Sequence, residues 1–173
     1  MTYTHFKFEV DGDGIALITF DSPNVSMNVL SNSVMQEMGQ IVEKIGSDDA
    51  IKGAVITSGK KAFCAGADLS ELGGGMADLK GLSEEEAKSK LFDTAYRLNQ
   101  SLRALETCGK PIAAAINGLA LGGGFEVTLA CHYRVMATDT ADVLSAISRA
   151  RLTAASISSP WGCTERTRPR SRA

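Results

Sequence analysis

Apolar residues along this chain fall into two rhythms. Residues 5–10 and 14–20 are strand-length apolar runs, and the Asp11-Gly12-Asp13-Gly14 stretch between them is a hairpin signal. Ile15, Leu17, Ile18 and Phe20 put apolar side chains on both faces of the second run, which predicts a buried strand. A polar loop with Pro23 follows. The period then lengthens: Val34, Met38, Ile41 and Ile45 recur at helical spacing. Ser33 and Gln36 fit a capping box, and Gly46 sits where that helix should stop. The run Gly53-Ala-Val-Ile-Thr57 predicts another buried strand. Strand, helix, strand is the order of a parallel sheet or a stacked αβ architecture.

Residues 59–81 are rich in glycine and predict irregular structure, with Gly73-Gly74-Gly75 as a flexible segment. Ser83 and Glu86 form a second capping box. Leu91, Ala95, Leu98, Leu102 and Leu105 then make a long amphipathic stripe that ends at Cys108-Gly109. Residues 112–116 predict a strand, Asn117-Gly118 a turn, and Gly122-Gly123-Gly124 lead into a short helix from about Phe125. Residues 133–136 read as a last strand. No fixed-period repeat is visible.

At 173 residues, 44% hydrophobic and 22% charged, the chain has the makings of one soluble domain with a real core. Its net charge of −2 gives no reason to expect a nucleic-acid partner. The longest apolar tract, 111–131, contains Asn117, Glu126 and several glycines and makes a poor membrane span. The N-terminus lacks the apolar segment of a secretory signal. Cys64, Cys108, Cys131 and Cys163 include no CxxC pair, and His5 and His132 are the only histidines. These argue against a zinc cluster and for reduced thiols, hence a cytoplasmic location.

Charge is unevenly placed. Residues 1–142 carry 12 Lys and Arg against 19 Asp and Glu, whereas residues 143–173 carry six Arg against Glu165 alone. The division predicts an ordered N-terminal core, 1–142, and an atypical Arg-rich tail, 143–173. The tail reads either as a basic arm for an acidic partner or as a stretch without a selected fold, disordered or out of frame. Its weak periodicity, broken at Pro160-Trp161-Gly162, favours the second reading, with little contribution to the core.

Two segments are candidates for chemistry. Ala62-Phe63-Cys64-Ala65-Gly66-Ala67-Asp68-Leu69 follows a buried strand, and its small residues let backbone approach a ligand closely. A tight turn packed on the core is the plainer alternative. The second is Asn117 to Glu126. Three glycines at a helix start leave amides unobstructed, and the helix dipole adds positive potential, a combination suited to stabilising an oxyanion. The sequence matches neither GxxxxGK[ST] nor GxGxxG, so a phosphate loop is not indicated. Glu126 reads equally as a catalytic carboxylate or as a glutamate that favours a helix N-terminus. Cys64 and Cys131 read as structural cysteines, and no GxSxG pattern appears.

Together the stretches Lys61-Ala-Phe-Cys-Ala-Gly-Ala-Asp-Leu-Ser-Glu-Leu72 and Lys110-Pro-Ile-Ala-Ala-Ala-Ile-Asn-Gly-Leu-Ala-Leu-Gly-Gly-Gly-Phe-Glu126 resemble the crotonase (enoyl-CoA hydratase/isomerase) family. The pair is far more specific than either piece. Met27-Asn28, Glu106-Thr-Cys-Gly-Lys110 and Ala130-Cys-His-Tyr-Arg134 look most like the hydratase portion of multifunctional fatty-acid oxidation proteins. The resemblance covers residues 5–142. It implies an α/β crotonase-like spiral of strand–helix units, C-terminally incomplete, and a lyase of fatty-acid β-oxidation that adds water to 2-enoyl-CoA. By resemblance, the amides of Ala67 and Gly123 form an oxyanion hole. Ala65, Gly66, Asp68, Leu69 and Gly122 lie against the substrate, and Glu126 is the first of two water-activating glutamates. No metal or redox cofactor is implied; CoA enters as part of an acyl-CoA thioester substrate. The family oligomerises. The second glutamate is expected about twenty residues on, in a Gly-x-Pro-Glu segment, where this chain reads Ala141-Asp-Val-Leu-Ser-Ala-Ile-Ser148. That departure implies an impaired or truncated copy. The alternatives are a 3-enoyl-CoA isomerase and a non-catalytic acyl-CoA-binding remnant.

Overall fold

A computed structural model describes residues 2–137 and 143–157. The opening runs form β1 (Phe6–Val10) and β2 (Ile15–Phe20), paired antiparallel with Phe6 opposite Phe20. In the turn, the Asp11 carboxylate accepts the amides of Asp13 and Ile15, both at 2.9 Å. Gly14 adopts φ +82°, and a Cβ there would stand 2.6 Å from the Ala50 carbonyl oxygen, so glycine is needed on two counts.

Helix α1 (Asn32–Ser47) carries the chain to β3 (Gly53–Ser58), which lies parallel to β2. Its predicted stripe, Val34, Met38, Ile41 and Ile45, is buried together with Val42. The cap differs from expectation. Ser31, in extended conformation, accepts the Val34 amide at 3.3 Å, whereas Ser33 lies inside the first turn with its hydroxyl against His5 Nε2. Gly46 does not stop the helix. It lies inside the last turn, and its bare Cα lets the end of a neighbouring helix come close: a Cβ would be 3.1 Å from the Cys108 carbonyl oxygen.

Beyond β3 come α2 (Leu69–Ala77) and α3 (Glu84–Thr107), then β4 (Ile112–Ile116), α4 (Gly123–Ala130) and β5 (Tyr133–Met136). The strands lie in the order β1-β2-β3-β4-β5, and every pair after the first is parallel. Pleating sorts the side chains. Ile18, Ala54, Ile56, Ile112 and Ala114 share one apolar cluster with α1, Leu105 of α3 and Val127 of α4. Ile15, Val55, Ala113, Ala115 and Val135 face the other way. Each of the larger aliphatic side chains so buried contributes about 1.5–3 kcal/mol.

Three further expectations are corrected. The Gly73-Gly74-Gly75 segment is helical, not irregular. Asp68 caps α2 by accepting the Ser70 amide at 2.9 Å, and Glu71 reaches back to the Asn32 amide at 2.8 Å. The Asp68 cap and the long-range tie from Glu71 to the start of α1 thus offset the cost of about 1 kcal/mol per helical glycine. The α3 capping box is present, but of its predicted stripe only Leu105 is buried, and Leu91 is exposed. Only the C-terminal end of α3 meets the core. The third correction concerns residues 143–157, which form α5 (Val143–Ile157). Its Ala146, Ala150 and Ala154 are fully buried against Val55, Ala113, Ala115 and Val135. These small side chains let the helix lie close on the sheet, and Arg151 pairs with Asp11 in the β1–β2 turn. The remainder of the Arg-rich stretch, 158–173, lies outside the described residues, as does Cys163.

Candidate active site

The loop after β3 and the loop after β4 lie side by side at one end of the sheet. Phe63 and Cys64 donate their amides to the Leu119 carbonyl at 2.9 and 3.1 Å, and Leu121 donates to the Cys64 carbonyl at 3.0 Å. Cys64 and Ala120 form an isolated parallel bridge. Asn117 braces the contact, its Nδ2 donating to the carbonyls of Ser58 and Lys60 at 3.2 and 2.7 Å. Glycines permit the approach. A Cβ on Gly124 would stand 2.7 Å from the Cys64 carbonyl oxygen, and one on Gly66 would be 3.1 Å from that of Leu121. Gly66 also adopts φ +102°, which L side chains rarely do.

A third segment, which the sequence pattern marks only as loop, completes the arrangement. Leu30 donates its amide to the Gly66 carbonyl at 2.8 Å and accepts that of Asp68 at 3.1 Å. The resulting bridge fixes Ala67 in extended conformation with its own amide turned away from Leu30. Fully buried Asn28 holds this strand in place: Nδ2 donates to the Phe20 carbonyl at 2.7 Å and the Ser58 hydroxyl at 2.9 Å, and Oδ1 accepts the Ser22 amide. A lone polar residue between Met27 and Val29 gave no periodic signal of that role.

Ala67, Gly123 and Glu126 come together. A methyl built on Gly123 would lie 3.9 Å from the Ala67 nitrogen and 4.0 Å from Oε2 of Glu126. Among the described residues neither the Ala67 nor the Gly123 amide has an acceptor. Gly123 is the first residue of α4, where the amides of a helix lack internal partners and the dipole is positive. Gly122, at φ +45°, turns the chain into that helix. Glu126 sits one turn on, exposed, at the edge of an open groove of about 1060 Å³ between α3 and α4 that Tyr96, Asn99, Arg103 and Leu129 also line. Ala65 is half-buried and Gly66 buried beside them. Asp68 and Leu69 are placed differently: the Asp68 carboxylate is spent on capping α2, held below its usual range chiefly by the Ser70 hydroxyl, and Leu69 points to solvent.

The other candidates are structural. Burial pushes the Cys64 thiol up and that of Cys131 up to about 12, so neither is a nucleophile. His132 Nδ1 accepts the Ile112 amide at 3.1 Å and fastens β5 beside β4. Among the described residues no group of three or more His, Cys, Asp or Glu could hold a metal ion, and no helix is long and apolar enough to cross a membrane.

Amides beside a carboxylate, built on two Gly-containing loops, are accompanied by a sequence match. The profile of the enoyl-CoA hydratase/isomerase family matches residues 11–158, which takes in α5 as well as the site. The chain belongs to that family. It is 40% identical over 131 residues to the "Fatty acid oxidation complex subunit alpha" of Idiomarina loihiensis, covering 75% of this chain and 17% of that protein. The protein of the same name from Shewanella frigidimarina is 41% identical over 133 residues, covering 76% and 17%. The crotonase-family chain described here therefore spans about one-sixth of the length of these relatives. Among solved structures, the enoyl-CoA hydratase of Bacillus anthracis superposes with TM-score 0.61 at 27% identity, over 78% of this chain and 48% of that one. An enoyl-CoA hydratase/isomerase from Xanthobacter autotrophicus Py2 gives TM-score 0.66 at 24% identity, over 78% and 46%, and there the likeness is one of fold.

Proposed function

We propose that this chain carries an enoyl-CoA hydratase site of the fatty-acid oxidation type in which one of the two acid–base carboxylates is missing. The observation that carries the reading is the meeting of the Ala67 and Gly123 backbones, both amides free, beside the Glu126 carboxylate. A thioester carbonyl oxygen accepts both amides. As water adds to the β-carbon, the electrons of the double bond move toward that oxygen and the amides stabilise the enolate charge. Loss of one comparable donor costs about 2.7–4 kcal/mol. Glu126 orients the water and takes its proton, and a proton returned to the α-carbon completes the addition. In this scheme CoA is part of the substrate, and no metal or redox cofactor takes part.

The second proton-transfer group is where the proposal departs from a full hydratase. The region after Asp142 offers no acid before Glu165. Helix α5, which occupies it, contains no carboxylate and packs on the sheet face opposite to α4. Isomerisation of a 3-enoyl-CoA would need a base at the same position, so the loss does not favour that reading. Binding without turnover, as in a remnant, is supported by this placement of α5.

Hydration of crotonyl-CoA, measured beside its binding by calorimetry, tests the proposal. Binding should be retained, with hydration at least about a hundredfold slower than in an intact relative. Glu126→Gln should abolish what hydration remains and leave binding in place. A folded chain that binds no CoA thioester would overturn the reading of the amide pair. Near-normal hydration would overturn the missing carboxylate.

A further inference from the structure

We propose that Leu30 is a positioning residue of the site: its backbone sets Ala67, its side chain sets Gly123, and this one residue thereby fixes the separation of the two amides. The inference rests on the reading of those amides as an oxyanion site. It starts from a contact that the backbone bridge does not require. Leu30 pairs with the Ala67 segment through main-chain atoms alone, donating to Gly66 and accepting from Asp68. Its side chain, 9% exposed, reaches the other half of the site. There Cδ1 lies 2.9 Å from the point that a Cβ on Gly123 would occupy, closer than carbon atoms come in ordinary contact, so the methyl seats directly on the bare Cα. The same point is 3.9 Å from the Ala67 nitrogen and 4.0 Å from Glu126 Oε2. The Leu30 methyl, the Ala67 amide and the Glu126 carboxylate therefore surround one side of Gly123.

The first turn of α4 needs such a stop, because hydrogen bonds do little to hold it. Leu121 donates its amide to the Cys64 carbonyl, and beyond that bond no backbone hydrogen bond among the described residues ties Gly122 or Gly123 to another segment. Gly122, at the N-cap, has no side chain to cap the helix, and a Cβ there would meet nothing within 4 Å. Packing takes the place of capping. Gly124 rests on Cys64, where a Cβ would be 2.9 Å from Sγ, and Gly123 meets the Leu30 methyl before anything else. Oxyanion donors act only when both reach one oxygen at about 2.7–3.1 Å, and a misplacement of about 1 Å costs about a hundredfold. Shortening Leu30 by one carbon removes the stop. The turn then closes on the gap and carries the Gly123 amide away from an oxygen that Ala67 still meets. A residue that merely fills the core would, on truncation, weaken the whole fold and every ligand alike. A positioning residue weakens only ligands that carry the carbonyl.

Crotonyl-CoA carrying a carbon-13 label at the thioester carbonyl, bound to the whole 173-residue chain, reports both amides. In the unmodified chain its infrared carbonyl stretch should fall below the value in water, because two fixed donors draw charge onto the oxygen. Leu30→Val keeps a residue suited to a strand, and with it the main-chain bridge, but withdraws the methyl from Gly123. It should lose most of that shift and bind crotonyl-CoA about tenfold more weakly in calorimetry, the worth of about one hydrogen bond, while free CoA, which has no carbonyl, binds within about twofold of normal. Leu30→Met reaches Gly123 again, with room for its length in the apolar void beside Phe63 and Val127, and should restore both readings. A folded Leu30→Val chain that keeps the carbonyl shift overturns the proposal. So does one that loses crotonyl-CoA and free CoA alike. A second measurement needs no variant: in methyl NMR of the unmodified chain, the Leu30 δ-methyl should cross-relax with the Gly123 α-protons and shift with crotonyl-CoA but not with CoA. Absence of either overturns the proposal even where Leu30→Val does not fold. No carbonyl shift in the unmodified chain would overturn the reading of the site itself, and the positioning role with it.

Discussion

Gly118 gives the sharpest single test of how the two site loops are held. Its Cα faces the carbonyl oxygen of Lys61, and a Cβ would stand 2.2 Å from that oxygen and 3.3 Å from the Ala62 Cα. Carbon–oxygen contacts ordinarily settle near about 3.3 Å, so Gly118→Ala must push the loops apart by about 1 Å. Both partners are backbone, and neither can swing aside as a side chain would. The displacement loads the hydrogen bonds that bridge the loops, Phe63 N–H to Leu119 and Asn117 Nδ2–H to Lys60 among them. Overpacking costs about 1–3 kcal/mol and each weakened hydrogen bond up to about 1. A loss of about 3 kcal/mol is expected, a hundredfold or more in the folding equilibrium. The same displacement separates Ala67 from Gly123, and errors of this size in positioned groups cost about a hundredfold in function. Gly39 is the control: it is exposed in α1, a Cβ there meets nothing within 4 Å, and Gly39→Ala should gain about 0.5–1 kcal/mol. Urea denaturation followed by circular dichroism, with crotonyl-CoA calorimetry on each folded variant, reads both effects. If Gly118→Ala loses less than about 0.5 kcal/mol at unchanged m-value, the contact does not govern the loops.

Other consequences can be measured independently. Asp21 is held below its ordinary 3.8 first by the hydrogen bond from Lys7 and then by Lys60. Its contribution to stability is therefore full above that value and fades as pH falls below it. Asp21→Asn should flatten the acid limb of a pH–stability curve and leave its shape near neutrality unchanged. Cys64 and Cys131 are buried with raised thiols, whereas Cys108 is half-buried. Brief alkylation of the native chain followed by peptide mapping should modify Cys108 and spare Cys64 and Cys131 until denaturant is added. Ala150 is fully buried where α5 meets the sheet, and Ala150→Glu should cost about 3 kcal/mol or more in a thermal or urea melt. An unchanged melt would mean that α5 does not contribute to the core.

The strands were legible because each is a continuous apolar run bounded by turn residues, and α1 because one side of it is buried along its length. Harder to read were the elements whose stability comes from outside their own pattern. The three glycines of α2 disguise a helix that rests on Asp68 and Glu71. The leucines of α3 advertise a burial that only Leu105 achieves. Helix α5 was hidden in a change of composition: its arginines suggested a solvated tail, while the alanines at every fourth position, small enough to say little in a hydropathy reading, are what touch the sheet. At the site, the glycine loops and Glu126 were visible, but the strand through Leu30 that orients Ala67 was not. Its contribution is made by backbone atoms, which every residue possesses.

That backbone strand also sets a timetable. The bridges Leu30–Ala67 and Cys64–Ala120 join residues far apart in the chain, outside the main sheet and without a ladder of neighbours to reinforce them. Each closes a long loop for a few hydrogen bonds, so it gains little until β2, β3 and β4 are already aligned. The amide pair is consequently among the last features to assemble and among the first to open. Amides of Leu30, Ala65 and Leu121, all hydrogen-bonded in the native chain, would exchange with solvent through partial openings that leave Val55 and Ala114 protected. The part of the molecule best shaped to hold a ligand is thus also the part that a ligand, by binding, can slow the most.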